Sequence, residues 1–139
     1  MIHLVTGGSG SGKSAYAEQC ILDFGGTRRV YIATMQPFGA EGQARIARHR
    51  KMRAAKKFST IECYTNLKEV ELEPGSDVLL ECMSNLTANE IFDPSGAGKA
   101  RAEEEILAGV SRLAHQARNL VLVTNEIFSD GYRYEEETM

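Results

Sequence analysis

The feature that most constrains the fold of this chain is an eight-residue segment near its start, Gly7-Gly8-Ser9-Gly10-Ser11-Gly12-Lys13-Ser14. This segment fits the pattern G-x-x-x-x-G-K-[ST]. A short apolar run at 2–6 precedes it, and a helical pattern to about Asp23 follows it. The glycines let backbone N–H groups converge on phosphate oxygens, Lys13 should reach the β- and γ-phosphates, and the Ser14 hydroxyl should ligate Mg²⁺. The segment therefore predicts a phosphate-binding loop in which all eight residues contribute to nucleotide binding.

The rest of the chain alternates short apolar strands with helices. The predicted strands are 29–33, 58–63, 77–81 and 119–124, and the predicted helices are 41–57, 84–92 and 99–118. Apolar strands separated by helices are typical of a parallel sheet that is covered on both faces. We therefore expect an α/β fold of the P-loop NTPase class, with a mostly parallel sheet, in a single domain over residues 1–139. A second Gly-Lys cluster at 96–99 departs from the phosphate-loop pattern and is predicted to be a loop before a helix.

Composition narrows the class of protein. With 139 residues, 42% of them hydrophobic, the chain is long enough for one folded core and is neither disordered nor collagen-like. The apolar runs are too short to span a membrane. The three cysteines, Cys20, Cys63 and Cys82, lack the spacing of metal ligands, so we expect reduced core thiols in a cytoplasmic protein.

Carboxylates follow two of the predicted strands. Glu81 ends the strand at 77–81, and Glu126 comes shortly after the strand at 119–124. Because ligands of parallel sheets bind beyond the carboxyl ends of the strands, Glu81 is predicted to hold Mg²⁺ or to position a water, with an ordinary surface acid as the alternative. Glu126 is a further candidate, although a carboxylate after a strand is common in any α/β protein. Asp77, at the opposite end of its strand, is expected to be solvated.

A basic helix is predicted between the second and third strands. Residues 45–57 contain seven of the sixteen Lys and Arg residues, and Arg45, His49 and Arg53 would share one helical face. The flanking cations favour a neutral, nucleophilic imidazole, and their guanidinium groups could clamp a triphosphate, which suits attack by His49 on an α-phosphate. A solvated basic face or a nucleic-acid-binding surface would explain the same charges, but the lack of interleaved aromatic residues argues against single-strand binding.

Several segments in order resemble those of one enzyme family. They are LVTGGSGSGKS at 4–14, YIAT at 31–34, E-x-x-x-R-I with a following His-Arg pair at 41–50, T-x-E at 60–62, LLEC at 79–82 and LVTNE at 122–126. Together they are similar to the bifunctional adenosylcobinamide kinase / adenosylcobinamide-phosphate guanylyltransferase family of cobalamin assembly. The resemblance covers essentially the whole chain.

The resemblance implies a RecA-like fold and two reactions. Family members phosphorylate adenosylcobinamide with a nucleoside triphosphate, GTP or ATP, and then transfer GMP from GTP through a guanylylated histidine to give adenosylcobinamide-GDP. The family's nucleophile falls on His49, and Lys13 takes a catalytic place in the phosphate loop. The residues that we expect to bind nucleotide outside the loop are Arg45, Arg53, Glu62 and Glu81, with Thr34 and Glu126 as further candidates.

The resemblance also predicts the oligomeric state and the C-terminal extent of the domain. It implies a cytoplasmic homo-oligomer, a trimer, whose partners are adenosylcobinamide and nucleotide rather than nucleic acid. Arg48 stands where some members have a second histidine, and Phe58 stands where a tryptophan is common. Members continue past Glu126 through another helix and a closing strand, which the domain is expected to lack.

Two alternative functions stay open: a P-loop small-molecule kinase without a covalent step, and a nucleotide-dependent nucleic-acid-binding module.

Overall fold

The computed structural model describes residues 2–7, 12–36, 43–44, 47–48, 50–51 and 56–125. The strands of this part are β1 (Ile2–Gly7), β2 (Arg28–Ala33), β3 (Phe58–Glu62), β4 (Ser76–Glu81) and β5 (Asn119–Asn125). Its helices are α1 (Lys13–Asp23), α2 (Met83–Phe92) and α3 (Ala102–Gln116), with a short 3-10 helix at Leu67–Glu69. None of the helices in the described ranges is long and apolar enough to cross a membrane.

The five strands form one sheet in the order β1-β5-β4-β2-β3, and every pair of neighbours runs parallel. The parallel sheet predicted from the sequence is therefore confirmed. The strand that precedes the phosphate loop, β1, and the strand that ends in Glu81, β4, are not neighbours, because β5 lies between them. Their carboxyl ends still lie at the same edge of the sheet.

Helices cover both faces of the sheet. Successive strand residues point to opposite sides, so each strand contributes side chains to both layers. On one face, even-numbered residues of β2, β4 and β5 pack with α2, α3 and the 3-10 helix; this cluster includes Ile32, Val78, Leu80, Leu120, Leu86, Ile106, Leu113 and Leu67. On the other face, odd-numbered residues of β2, β4 and β5 pack with α1; this cluster includes Tyr31, Leu79, Val121, Val123, Ala17 and Ile21. Each fully buried aliphatic side chain contributes roughly 1.5–3 kcal/mol, so both layers are needed for stability. The α/β, P-loop NTPase class is confirmed.

The predicted element boundaries are confirmed to within a few residues, and the differences have local causes. The last predicted helix begins at Ala102 rather than residue 99, because Gly98 has a φ of 86° and its carbonyl accepts the N–H groups of Arg101 and Ala102 in a turn. The cluster at 96–99 is thus a loop before a helix, as predicted. In the predicted basic helix, residues 43–44, 47–48 and 50–51 are helical and residues 56–57 form a turn.

The 3-10 helix was not predicted. Leu67 is buried beneath α3, and a Cβ at Gly109 would lie 3.0 Å from the Leu67 Cγ, with the Leu67 Cβ closer still. The glycine therefore lets the two elements approach closely. A glycine on the apolar face of a helix is the sequence signal of this contact.

The prediction that Asp77 is solvated is wrong. Asp77 is fully buried, and its Oδ1 accepts hydrogen bonds from Arg118 Nε at 3.1 Å and Asn119 Nδ2 at 2.9 Å. Its Oδ2 accepts a third bond from Arg118 Nη2 at 3.2 Å. The donors come from the start of β5, about forty residues further along the chain, so no local pattern reveals them.

Candidate functional site

The N-terminus of α1 is built for an anion. Gly12 caps the helix with a φ of 82° and a ψ of 11°, and its carbonyl accepts the Tyr16 N–H at 3.1 Å. Glycine adopts this left-handed conformation without strain, which explains the residue type at this position. Gly12 has no side chain that could cap the first turn, and the N–H groups at a helix N-terminus favour negative charge. Of the other predicted loop residues, Gly7 ends β1, whereas Gly8, Ser9, Gly10 and Ser11 lie outside the described residues.

The structure brings the two predicted metal ligands together. Ser14, in the first turn of α1, donates a hydrogen bond from Oγ to Oε1 of Glu81 at 2.8 Å, across 67 residues of sequence. The other carboxylate oxygen, Glu81 Oε2, is buried and has no hydrogen-bond partner among the described residues. A buried oxygen without a partner costs free energy, so this site favours a ligand that can satisfy it.

This donor set fits Mg²⁺. A carboxylate and a hydroxyl are hard oxygen ligands, and Mg²⁺ usually binds one or two such groups while keeping several waters and substrate phosphates. Across the described ranges there is no cluster of three or more His, Cys, Asp or Glu residues that could hold a metal by themselves. The Ser14–Glu81 pair is thus suited to an ion that arrives with a nucleotide.

Thr34 lies behind Glu81 rather than on an open surface. Its side chain is buried, and its hydroxyl accepts the Cys82 N–H at 2.8 Å while lying 2.9 Å from the Cys82 carbonyl and 3.1 Å from the Glu81 carbonyl. Asn89 of α2 in turn donates from Nδ2 to the Thr34 carbonyl at 2.8 Å. These contacts tie the end of β2 to the end of β4, and they fix the backbone that carries the Glu81 side chain.

The thiols near the site are free and protonated. Burial raises the pKa of Cys63 to about 11, and the negative charges of Glu90 and Glu69 add to that shift. Burial also raises the pKa of Cys82, whose Sγ accepts the Asn85 N–H at 3.4 Å at the start of α2. Cys63 and Cys82 are therefore core thiols, as predicted, whereas Cys20 is only half-buried against the core.

The basic segment contacts the end of β3. Arg50 forms an ion pair with Glu62, one of the residues predicted to bind nucleotide. Arg45, His49 and Arg53 lie outside the described residues, as does Glu126, so their roles stay predictions. The ion pair places the residue that follows His49 in sequence at the carboxyl edge of the sheet.

Sequence reasoning missed Glu90. It is only 2% exposed, and its Oε1 and Oε2 accept the backbone N–H groups of Ala97 at 3.0 Å and Asn66 at 3.1 Å. Position 90 lies one helical turn after the buried Leu86, on the stripe that faces the core. An acid on an apolar helical stripe is the signal that could have identified it.

Comparison with known proteins finds one matching family model and two similar proteins of the same name. Residues 3–137 match the family model described as cobinamide kinase / cobinamide phosphate guanyltransferase. The bifunctional adenosylcobalamin biosynthesis protein CobU of Escherichia coli K12 is 35% identical over 140 residues, which cover 91% of this chain and 76% of that protein. The protein of the same name from Salmonella typhimurium LT2 is 36% identical, with the same coverage. With the parallel sheet and the Ser14–Glu81 pair in place, these matches lead to one conclusion: the chain belongs to the cobinamide kinase / cobinamide phosphate guanyltransferase family.

Proposed function

We propose that this chain phosphorylates adenosylcobinamide with a nucleoside triphosphate, GTP or ATP, and then transfers GMP from GTP to the product, giving adenosylcobinamide-GDP. The observation that carries the proposal is the match to a family named for both activities over residues 3–137. The Ser14–Glu81 pair beside the N-terminus of α1 supports it, because both reactions act on a triphosphate. The cytoplasmic homo-oligomer implied by the resemblance stays a prediction.

In the kinase step, a hydroxyl of adenosylcobinamide attacks the γ-phosphorus of the nucleotide. A new O–P bond forms, the hydroxyl proton is lost to solvent, the bond from the γ-phosphorus to the β,γ-bridging oxygen breaks, and the nucleoside diphosphate leaves. Lys13 and the first-turn N–H groups of α1 would draw charge from the phosphates, because α1 begins at Lys13. Ser14 and Glu81 would hold Mg²⁺, which when bound neutralises charge on the phosphate oxygens.

In the guanylyl-transfer step, a ring nitrogen of His49 attacks the α-phosphorus of GTP. The N–P bond forms as the bond to the α,β-bridging oxygen breaks, and pyrophosphate leaves. A phosphate oxygen of adenosylcobinamide phosphate then attacks the same phosphorus and breaks the N–P bond. The predicted neighbours Arg45 and Arg53 would stabilise the developing charge, and the Arg50–Glu62 ion pair supports a location for this segment at the edge of the sheet.

Trapping of the covalent intermediate tests the mechanism. Incubation with GTP labelled at the α-phosphate should leave a label on the chain that is stable in base and labile in acid. His49→Asn should abolish this label while transfer of the γ-phosphate to adenosylcobinamide continues. The matched control is His115→Asn, since His115 lies on α3 with its Nδ1 2.7 Å from the Ser111 carbonyl, and this variant should be labelled like the wild type.

Two outcomes would contradict the mechanism. A label that survives His49→Asn would place the nucleophile elsewhere. Active phosphorylation of adenosylcobinamide without any label would favour the alternative of a P-loop kinase that has no covalent step.

A further inference from the structure

A cleft of about 560 Å³ opens beyond the ends of β2 and β3, at the same edge of the sheet as Glu81. Its volume is within the range of sites that bind small molecules. Its lining includes the neutral hydrogen-bonding side chains of Gln36, Thr65, Asn66 and Ser95. None of them has a part in the phosphoryl or guanylyl transfer steps above.

A single buried carboxylate holds the two walls of the cleft. Glu90 accepts the N–H of Asn66 on one wall, and it accepts the N–H of Ala97 in the loop that forms the other. Its carbonyl also accepts the Gly98 N–H at 2.8 Å. A side chain at Gly96 would collide with the backbone carbonyl of Glu90, so this loop packs directly on α2. The cleft is therefore a pre-organised part of the fold.

Away from the Arg50–Glu62 ion pair, the charge of the described cleft lining is unsuited to phosphate. Glu62, Glu69 and Asp93 line it, and its lining residues in the described part of the chain include neither Lys nor Arg. Arg50 pairs with Glu62 beside it, and Gln36 donates to Asp93 Oδ2 at 2.7 Å. Carboxylates repel a triphosphate but accept hydrogen bonds from neutral N–H groups. The cleft therefore favours a neutral ligand that is rich in N–H donors.

Carboxamides meet this requirement. A primary carboxamide both donates and accepts, so it can pair reciprocally with the side-chain amides of Gln36 and Asn66 and can also donate to the carboxylates. Of the two substrates in the proposed function, cobinamide is a corrinoid with carboxamides around its ring, whereas the nucleotide carries phosphates. The ends of β3 and β4 are two strand spacings apart, about 10 Å, a distance that one corrinoid can span.

We propose that this cleft binds a carboxamide-bearing edge of the cobinamide substrate, while the nucleotide phosphates bind at α1. The inference rests on the proposed function, since that function supplies the corrinoid. Asn66 is the side chain that tests it best. Its φ of 57° is a conformation that glycine also adopts, so Asn66→Gly removes the amide and keeps the backbone.

The experiment measures binding of cobinamide and of GTP separately, by equilibrium dialysis with the purified chain. In Asn66→Gly, the Kd for cobinamide should rise about five- to tenfold, as expected for the loss of one hydrogen bond, while the Kd for GTP changes less than about twofold. Glu69→Gln, which keeps the shape of an exposed side chain, should raise the Kd for cobinamide by a smaller factor of about three. Glu71→Gln is the matched control, because Glu71 is exposed and lies outside the cleft, and it should bind both ligands like the wild type.

Three results would overturn the inference, and only the third would also overturn the proposed function. Wild-type affinity for cobinamide in both cleft variants would show that the cleft does not bind it, and the proposed function would stand. A raised Kd for GTP with an unchanged Kd for cobinamide would assign the cleft to the nucleotide base. A wild-type chain that fails to bind cobinamide would overturn the proposed function and this inference together.

Discussion

Strand β4 carries a carboxylate near each end, and the two have opposite surroundings. Asp77, near the amino end, is fully buried and accepts three hydrogen bonds from Arg118 and Asn119. Glu81, at the carboxyl end, accepts a hydrogen bond from Ser14 through one oxygen, while its other oxygen is buried and has no partner in the part of the chain that the structure describes. The same residue class on one strand is thus satisfied by the protein at one edge and left for a ligand at the other.

The connections at each edge explain the difference. At the amino edge, Arg118 also donates from Nη2 to the Phe24 carbonyl at 2.8 Å, and its N–H donates to the Ser76 carbonyl at 2.7 Å. These bonds close the edge with protein groups. At the carboxyl edge, α1 and α2 both begin, so their N-terminal dipoles point toward the space beside Glu81. A carboxylate oxygen without a protein partner can therefore serve ligand binding only at the carboxyl edge.

The largest expected effect on folding comes from Asp77→Asn. The change removes the ion pair with Arg118 and turns one acceptor oxygen into a donor that faces other donors, so the free energy of unfolding should fall by about 2–3 kcal/mol. Urea denaturation followed by circular dichroism measures this loss. Asp23→Asn is the control, because Asp23 is exposed at the end of α1, and its stability should change by less than about 0.5 kcal/mol. Equal stabilities of the two variants would contradict the structural role of Asp77.

A smaller effect is expected from Thr34→Val, which tests how Glu81 is positioned. The substitution leaves the Cys82 N–H without its acceptor, so the free energy of unfolding should fall by about 1–2 kcal/mol. The turnover number for phosphorylation of adenosylcobinamide should fall more than the Michaelis constant for nucleotide changes, because Glu81 is displaced. Thr34→Ser keeps the hydroxyl and should restore both stability and turnover. A serine variant as impaired as the valine variant would show that the hydroxyl is not the group that matters.

Much of the fold could be predicted from local patterns. The apolar runs that became β4 and β5 are buried on both faces, and this is why their sequences show no alternation and why a parallel sheet could be predicted. The Ser14–Glu81 pair could also be predicted, since each residue belongs to a motif and both motifs end at the same edge of the sheet. The buried states of Asp77 and Glu90 could not, because their partners come from other elements and depend on how strands and loops pack.

The most direct test of the central claim compares Glu81→Gln with Asp77→Asn in binding of GTP over a titration of Mg²⁺. If Glu81 holds the metal, Glu81→Gln should lose the increase in GTP affinity that Mg²⁺ produces in the wild type, raising the Kd at least about tenfold, while its unfolding free energy stays within about 1 kcal/mol. Asp77→Asn should have a lower free energy of unfolding, while its folded fraction should bind GTP with the same dependence on Mg²⁺ as the wild type. A Glu81→Gln variant that binds GTP with wild-type affinity and wild-type dependence on Mg²⁺ would contradict the account.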